Sequence, residues 1–322
     1  MASDMLSTNI TPPGDARASP PPPDGEDEIL PIGTARGWGR WVVTLIVVFL
    51  LAELIVSVTR NPRFEWRTVG HYFGASAILD GLGLSLLLTV IVTALAIPLS
   101  LLVAGMRLSS VPIARAVAWA FVWFFRSVPA LVQLLFWFNL AALYPKLSIG
   151  LPFLGHFASA DANEVITPMV AAIVGLTLHE VAFMSEIFRA AILSVSKGQS
   201  EAAAALGMSR GRAFWHVTLP QAVRTAIPPV AGQAISLVKL TALVSFIGLT
   251  DLLYSVQRIY AVNFKTIPLL LVATCWYLIV TSIMSVGQYY LERYFARGHG
   301  PARQRGRQDR RRTPAATLDE GA

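Results

Sequence analysis
The stretch Lys197–Arg224 reads KGQSEAAAALGMSRGRAFWHVTLPQAVR and sits between hydrophobic segments, itself too polar to span a bilayer. Ser200 is placed to cap a helix, and Glu201 just inside favours the positive end of the helix dipole. Ala202 to Leu206 are strong helix formers, and Gly207 stops the turn at a position where φ is positive. Ser209 is placed to cap a second short helix carrying Arg210, Arg212, Phe214 and Trp215, which Pro220 is expected to end. The product is a helix–glycine–helix elbow with a small Ala-rich face. From local physics alone, a docking surface and an ordinary connecting loop are both open.

The rest of the chain places this elbow at a membrane. Of 322 residues, 54% are hydrophobic and only 14% charged, with mean hydropathy +0.57. Soluble domains carry about 25% charged residues, so the composition excludes a large soluble core and points to a multi-pass membrane protein. The single cysteine, Cys275, excludes an intrachain disulfide. The net charge of +7 is concentrated in eight arginines between Arg293 and Arg312, which marks a basic tail and not a nucleic-acid-binding domain.

Residues 1–40 are polar, with prolines at 20–23 and acids between Asp24 and Glu28, a composition expected to be disordered. Six apolar segments follow, each near or above the roughly 20 residues a bilayer requires. They are Trp41–Thr59, which contains Glu53, then Leu84–Gly105, Ile113–Leu143, Thr167–Phe188, Ile227–Leu249 and Ile267–Tyr290. The third is too long for one span. Arg126 and Pro129 within it predict an interfacial or lengthened first half, a kink, and then membrane. With the N-terminus inside, the cytoplasmic segments hold 18 of the 26 Lys and Arg, although Arg60, Arg63 and Arg67 in the first outside loop run against that topology. The expected arrangement has the elbow and both termini in the cytoplasm.

The fifth span carries Gln233, Ser236, Lys239, Thr241 and Ser245, too polar for a helix facing lipid. Gly232, Ser236 and Lys239 recur at i, i+4 and i+7 and share one helical face. A lysine inside a span costs about 2.5–3.5 kcal/mol on insertion scales, so it is expected to face protein, water or substrate, the alternative being a snorkelling lysine at an interface. In the fourth span, Glu186 and Arg189 are expected to form an i, i+3 ion pair. His179 and Glu180 lie deeper, and are expected either to pair with Arg126 or Lys239 or to contact a substrate. There is no phosphate loop G-x-x-x-x-G-K-[ST], no H-E-x-x-H, no Cys/His cluster with metal-ligand spacing and no Ser/His/Asp grouping. No catalytic residue, metal site or cofactor is expected, and any ATP must be bound by another chain.

Glu201-Ala202-Ala203, then Gly207, then Val217-x-Leu219-Pro220 resembles the signature E-A-A-x3-G-x9-I-x-L-P of the membrane subunits of ABC importers, with Val217 in place of Ile. Arg126-Ser127-Val128-Pro129-Ala130-Leu131-Val132-Gln133 is similar to the R-G-T-P-L-L-V-Q segment of polar amino-acid permeases. Glu186–Ala190, Gly198–Glu201 and Leu219–Arg224 match that subfamily too, and Lys239-Leu240-Thr241-Ala242-Leu243 resembles its K-x-T-S-L run.

The resemblance covers about residues 78–298 as a permease domain with its coupling loop at 197–224. Residues 41–77 are left as an extra N-terminal span and outside loop, and 299–322 as a basic disordered tail. It implies an all-α, polytopic fold of about six transmembrane helices, the type I importer permease fold, in a bacterial inner membrane. The elbow would dock on a separate ATPase through Glu201, Ala202, Ala203, Gly207, Leu219 and Pro220. Arg126, His179, Glu180, Gln233, Ser236, Lys239 and Thr241 are the pathway candidates. The implied partners are an ATPase pair that binds the ATP, a second permease subunit, identical or homologous, an extracytoplasmic solute-binding protein and a polar amino acid. Membrane lipid would meet the basic tail, unless that tail is a solvated extension. Two other readings stay open, a permease for another small polar solute and a membrane receptor or scaffold.

Overall fold
Apolar runs in a bilayer must satisfy their backbone internally, and this chain does so with helices. A computed structural model describes residues 38–151 and 155–296. The expected disordered tails lie outside the described residues, except that Trp38, Gly39 and Arg40 belong to the first helix. The chain divides into two units, one ending at Asn61 and one beginning at Pro62. In the first, α1 (Trp38–Arg60) is apolar on all sides, as a lipid-facing span is, with Glu53 along it.

The second unit begins with a 3-10 turn and the short helix α2 (Trp66–Phe73), followed by α3 (Ser76–Leu108). Next come α4 (Pro112–Ser127), α5 (Ala130–Phe138) and the single turn α6 (Leu140–Leu143). A hairpin of β1 (Lys146–Leu151) and β2 (Gly155–Asp161), antiparallel with an irregularity after Ile149, leads to the turn α7 (Ala162–Val165) and to α8 (Pro168–Ser194). The elbow is α9 (Lys197–Ala205) and α10 (Arg210–Ala213), leading into α11 (Leu219–Leu240), α12 (Leu252–Asn263) and α13 (Thr266–Ala296). Among the described residues five helices are long and apolar enough to cross a membrane, and six spans result if α4 and α5, which are bent by 102° at Val128-Pro129, are taken together as one. The expected kink is there.

The outside loops hold elements that were not expected, among them the short helix α2 in the first. The hairpin is another, and α12, in what the sequence offered only as an outside loop, is a third.

Small residues let the central helices approach closely. On α3 the buried Ala96, Ser100 and Ala104 recur at every fourth position, and α8 buries Ala171, Ala172, Gly175, Ala182 and Ser185. A side chain at Gly175 would meet Trp137 at 3.3 Å and Leu134 at 3.4 Å, so this glycine sets how near α5 lies to α8. Three apolar clusters are stacked along α3. One, around Ile78, Leu82, Val256 and Leu269, joins α2, α3, α12 and α13. A second, around Leu88, Val92, Leu134, Leu176 and Leu237, holds α5, α8 and α11, and a third, around Ala104, Met184, Phe188 and Ala226, closes the end toward the elbow.

Polar ties lock the two ends. Glu186 takes Arg189 at 2.8 Å, as its spacing predicts, and also Arg107 of α3 at 3.3 Å. At the other end Lys265 donates to Glu65 at 2.6 Å, and Thr68 donates to the same carboxylate oxygen. These bonds hold the Glu65 carboxyl below its ordinary range, so the tie stands above about pH 4.5 and is lost as pH falls.

Candidate functional site
The elbow forms much as its composition dictates, with two corrections. The cap of α9 is Ser196, and Ser200 lies inside the helix, because the helix starts four residues earlier than the Ala run suggests. Gly207 has φ +76°; its N–H donates to the Ala204 carbonyl at 2.9 Å and that of Met208 to Ala203 at 3.0 Å. That bond pair satisfies the end of α9 and requires a left-handed residue at the glycine. Ser209 holds the N-cap position of α10 as expected, but its side chain makes no capping hydrogen bond. Pro220, however, does not end a helix. It falls in the first turn of α11, directly after a π-helical turn at Phe214–Thr218 that carries α10 into α11 without a break.

The exposed face of the elbow carries Glu201, Ala202, Gly207 and Pro220, while Ala203 is buried inside and Leu219 half-buried. Leu206 is 83% exposed and Trp215 65% exposed. Both apolar side chains stand exposed beside the Ala-rich surface. Sequence reading passed over Leu206 because a leucine next to an Ala run reads as core.

A polar layer lies between α4–α5, α8 and α11. The break after Ser127 leaves orphan carbonyls, and Gln133 caps them: its Nε2 donates to Phe125 at 2.9 Å and Val128 at 2.7 Å, with His179 Nδ1 at 3.4 Å. Gln133 stood in the sequence only as part of a motif; a polar residue four positions after a helix-breaking proline was the available signal. The exposed Arg126 lays its guanidinium over the Phe183 ring, 5.1 Å from the centroid, and His179 packs on the same ring.

The expected pairing of His179 and Glu180 with Arg126 or Lys239 is not formed. His179 contacts Gln133 and Phe183; among the described residues Glu180 takes only Gln233 Nε2, at 3.4 Å on Oε1. The reason is geometric: Arg126 turns to Phe183, and Lys239 points outward from α11. Ser236 and Lys239 are exposed together, whereas Gly232 on the same face packs toward Gln288 of α13, whose amide would lie 3.2 Å from an added Cβ. Directly after this face α11 tightens into a 3-10 segment, Thr241–Ile247. There Thr241 is fully buried, its hydroxyl bonded to the Val238 carbonyl. Among the described residues no group of three metal-ligating side chains occurs.

Residues 96–297 match the family model for the binding-protein-dependent transport system inner membrane component. The chain belongs to this family. An arginine transport system permease protein of Corynebacterium glutamicum is 38% identical over 89% of this chain and 87% of its own length. A glutamate/aspartate import permease protein of Escherichia coli is 33% identical over 72% and 98%, and a glutamine transport system permease protein of the same species 31% over 72% and 97%. Among solved structures, an amino acid ABC transporter crystallised with histidines superposes at TM-score 0.59 with 28% identity, covering 68% of this chain and 94% of that one. An inward-facing methionine ABC transporter superposes at 0.55 with 18% identity, a likeness of fold.

The chain is therefore a multi-pass permease subunit of an ABC importer for a polar amino acid, and ATP hydrolysis belongs to a separate subunit. The arginine permease aligns over 289 residues, more than the 78–298 region, so the likeness reaches into the N-terminal part as well.

Proposed function
We propose that Ser236 and Lys239 line the translocation pathway, with Gln233, Arg126 and His179 at its wall, and that the elbow transmits the ATPase stroke to α11. One observation carries this reading. A lysine and a serine stand exposed side by side within a span, where lipid would penalise an ammonium by several kcal/mol. A second permease subunit, identical or homologous, would enclose that face and turn it into a polar channel. The substrate would pass it by alternating access, near the bilayer midplane.

The elbow would dock on the ATPase with Glu201, Ala202, Leu206 and Trp215, while Gly207 fixes the angle. Because α10 runs through a π-turn into α11 with no loop between, a push on α9, passed on at the Gly207 turn, reaches Ser236 and Lys239 along one helical element from Arg210 onward. A solute-binding protein would deliver the amino acid on the opposite side, and Lys and Arg placement supports a cytoplasmic elbow and cytoplasmic termini. A receptor or scaffold has no use for so direct a connection.

Cysteines test the pathway. In a Cys275→Ser background, Ser236→Cys and Lys239→Cys are expected to react with a charged, membrane-impermeant maleimide. Transported amino acid, added with the binding protein and ATP, is expected to slow that reaction. Failure of both positions to react would place the face in lipid and end the proposal.

A further inference from the structure
Two acids are buried among the described residues, Asp251 and Glu180. Asp251 is fully engaged, capping α12 with both oxygens, on Leu253 N at 3.2 Å and Tyr254 N at 2.9 Å. Glu180 is 1% exposed, and its Oε2 has no hydrogen-bond partner among the described residues. Its other oxygen has one bond, from Gln233 at 3.4 Å, near the limit of a useful hydrogen bond. Neither Arg126 nor Lys239 pairs with it. One turn before it on the same face, the Thr177 hydroxyl is also buried without a partner.

A carboxylate at this depth requires a cation or a proton, because an unpaired buried charge is among the most costly groups a protein can hold. Gln233 is half-buried and lies three residues before the exposed Ser236 on α11, so it stands between Glu180 and the polar face. Gln233 is thus the side chain through which the Glu180 carboxyl and the polar face are connected.

We infer that Glu180 is the counter-charge for the side-chain cation of the transported amino acid, so that this permease selects basic amino acids at the α8–α11 junction. The inference rests on the pathway reading above and narrows it. The named relatives carry arginine, glutamine and glutamate or aspartate, so the family alone does not choose. The carboxylate does. An ammonium or guanidinium supplies the missing partner, an amide supplies only a weak donor, and an acidic side chain would meet like charge. Thr177 offers a further acceptor beside it.

The test is direct binding of radiolabelled lysine and glutamine to the purified permease–ATPase complex without the binding protein, in wild type, Glu180→Gln and Glu180→Asp. Glu180→Gln keeps size and the contact with Gln233, and thermal melting checks that the complex is intact. The expected result is tighter lysine than glutamine binding in wild type and a loss of lysine affinity of about 30-fold or more in Glu180→Gln, with glutamine changed by less than about threefold. Glu180→Asp is expected to keep part of the lysine preference. Unchanged lysine binding in Glu180→Gln would show a neutral, structural carboxyl, and equal loss of both ligands would show a packing role; either overturns the inference and leaves the pathway reading standing. If the wild-type complex binds neither ligand while Ser236→Cys and Lys239→Cys stay unreactive, the pathway reading falls, and this inference with it.

Discussion

Gly81→Ala is expected to prevent the permease from accumulating as a folded protein. A Cβ at this position would lie 2.6 Å from the Asp251 carbonyl oxygen and 2.9 Å from its carbon, and closer still to the Ser255 hydroxyl. Neither backbone atom can yield. Asp251 is held by its own N–H to Leu249 at 2.8 Å, by its carbonyl to Ser255 N at 2.9 Å, and by its carboxylate to the start of α12. Ser85 pins the next residue, accepting from Leu252 N at 3.2 Å. Overpacking of this kind costs about 1–3 kcal/mol or more, a large share of a domain's stability. Gly83→Ala, two residues along the same helix with nothing within 4 Å, is the control and is expected to behave as wild type. Fluorescence-detected gel filtration of both variants checks the pair. Equal, normal peaks would show that α12 does not seat on α3 at this glycine.

Gly207→Val is expected to leave folding normal and abolish most transport. Nothing lies within 4 Å of a Cβ there, so the substitution meets no clash, and its cost is entirely the backbone, at φ +76°. A left-handed conformation costs an ordinary L-residue about 1–2 kcal/mol, and a β-branched one more, so the docked elbow geometry becomes roughly 5- to 30-fold rarer. Binding-protein-stimulated ATPase activity and uptake should fall together by that order, with membrane abundance unchanged. Gly207→Asn, which tolerates the left-handed region, should retain much more activity than the valine variant. Similar activity in both would mean that the angle at Gly207 does not matter for coupling.

These two glycines show what a sequence discloses and what it withholds. Gly207 was legible because a run of helix formers followed by glycine has few other meanings. Gly81 was not, since its neighbours in space are about 170 positions away and no local pattern reports a close helix crossing. The same division runs through the fold. Spans announce themselves by length and apolarity, and the bend at Pro129 by its proline. The helix α12 was hidden because LLYSVQRIYAVN is mixed in polarity and shorter than a span, and only its Asp251 cap could have marked it. Pro220 misled for a physical reason: proline ends one helix and begins another with equal ease, so the residue alone does not say which.

Within the candidate site, Lys239 and Ser236 were legible from a polar face inside an apolar run. The partners of Glu180 were not, because i, i+3 spacing reports neighbours on one helix and says nothing of which cation on another helix turns toward it. Charge inventory offered Arg126 and Lys239. Packing sent one to Phe183 and the other outward, and left the carboxylate with an amide.

Transport of a polar amino acid along the Ser236–Lys239 face, driven by a separate ATPase, is the proposed role of this subunit. Its most direct test is uptake of labelled amino acids into proteoliposomes holding the permease and its ATPase, with the binding protein outside and ATP within. The expected result is accumulation that needs both ATP and binding protein, and its loss in Lys239→Glu, whose membrane level stays normal. Accumulation in Lys239→Glu equal to wild type, or no uptake of any amino acid by the complete wild-type assembly, would contradict it.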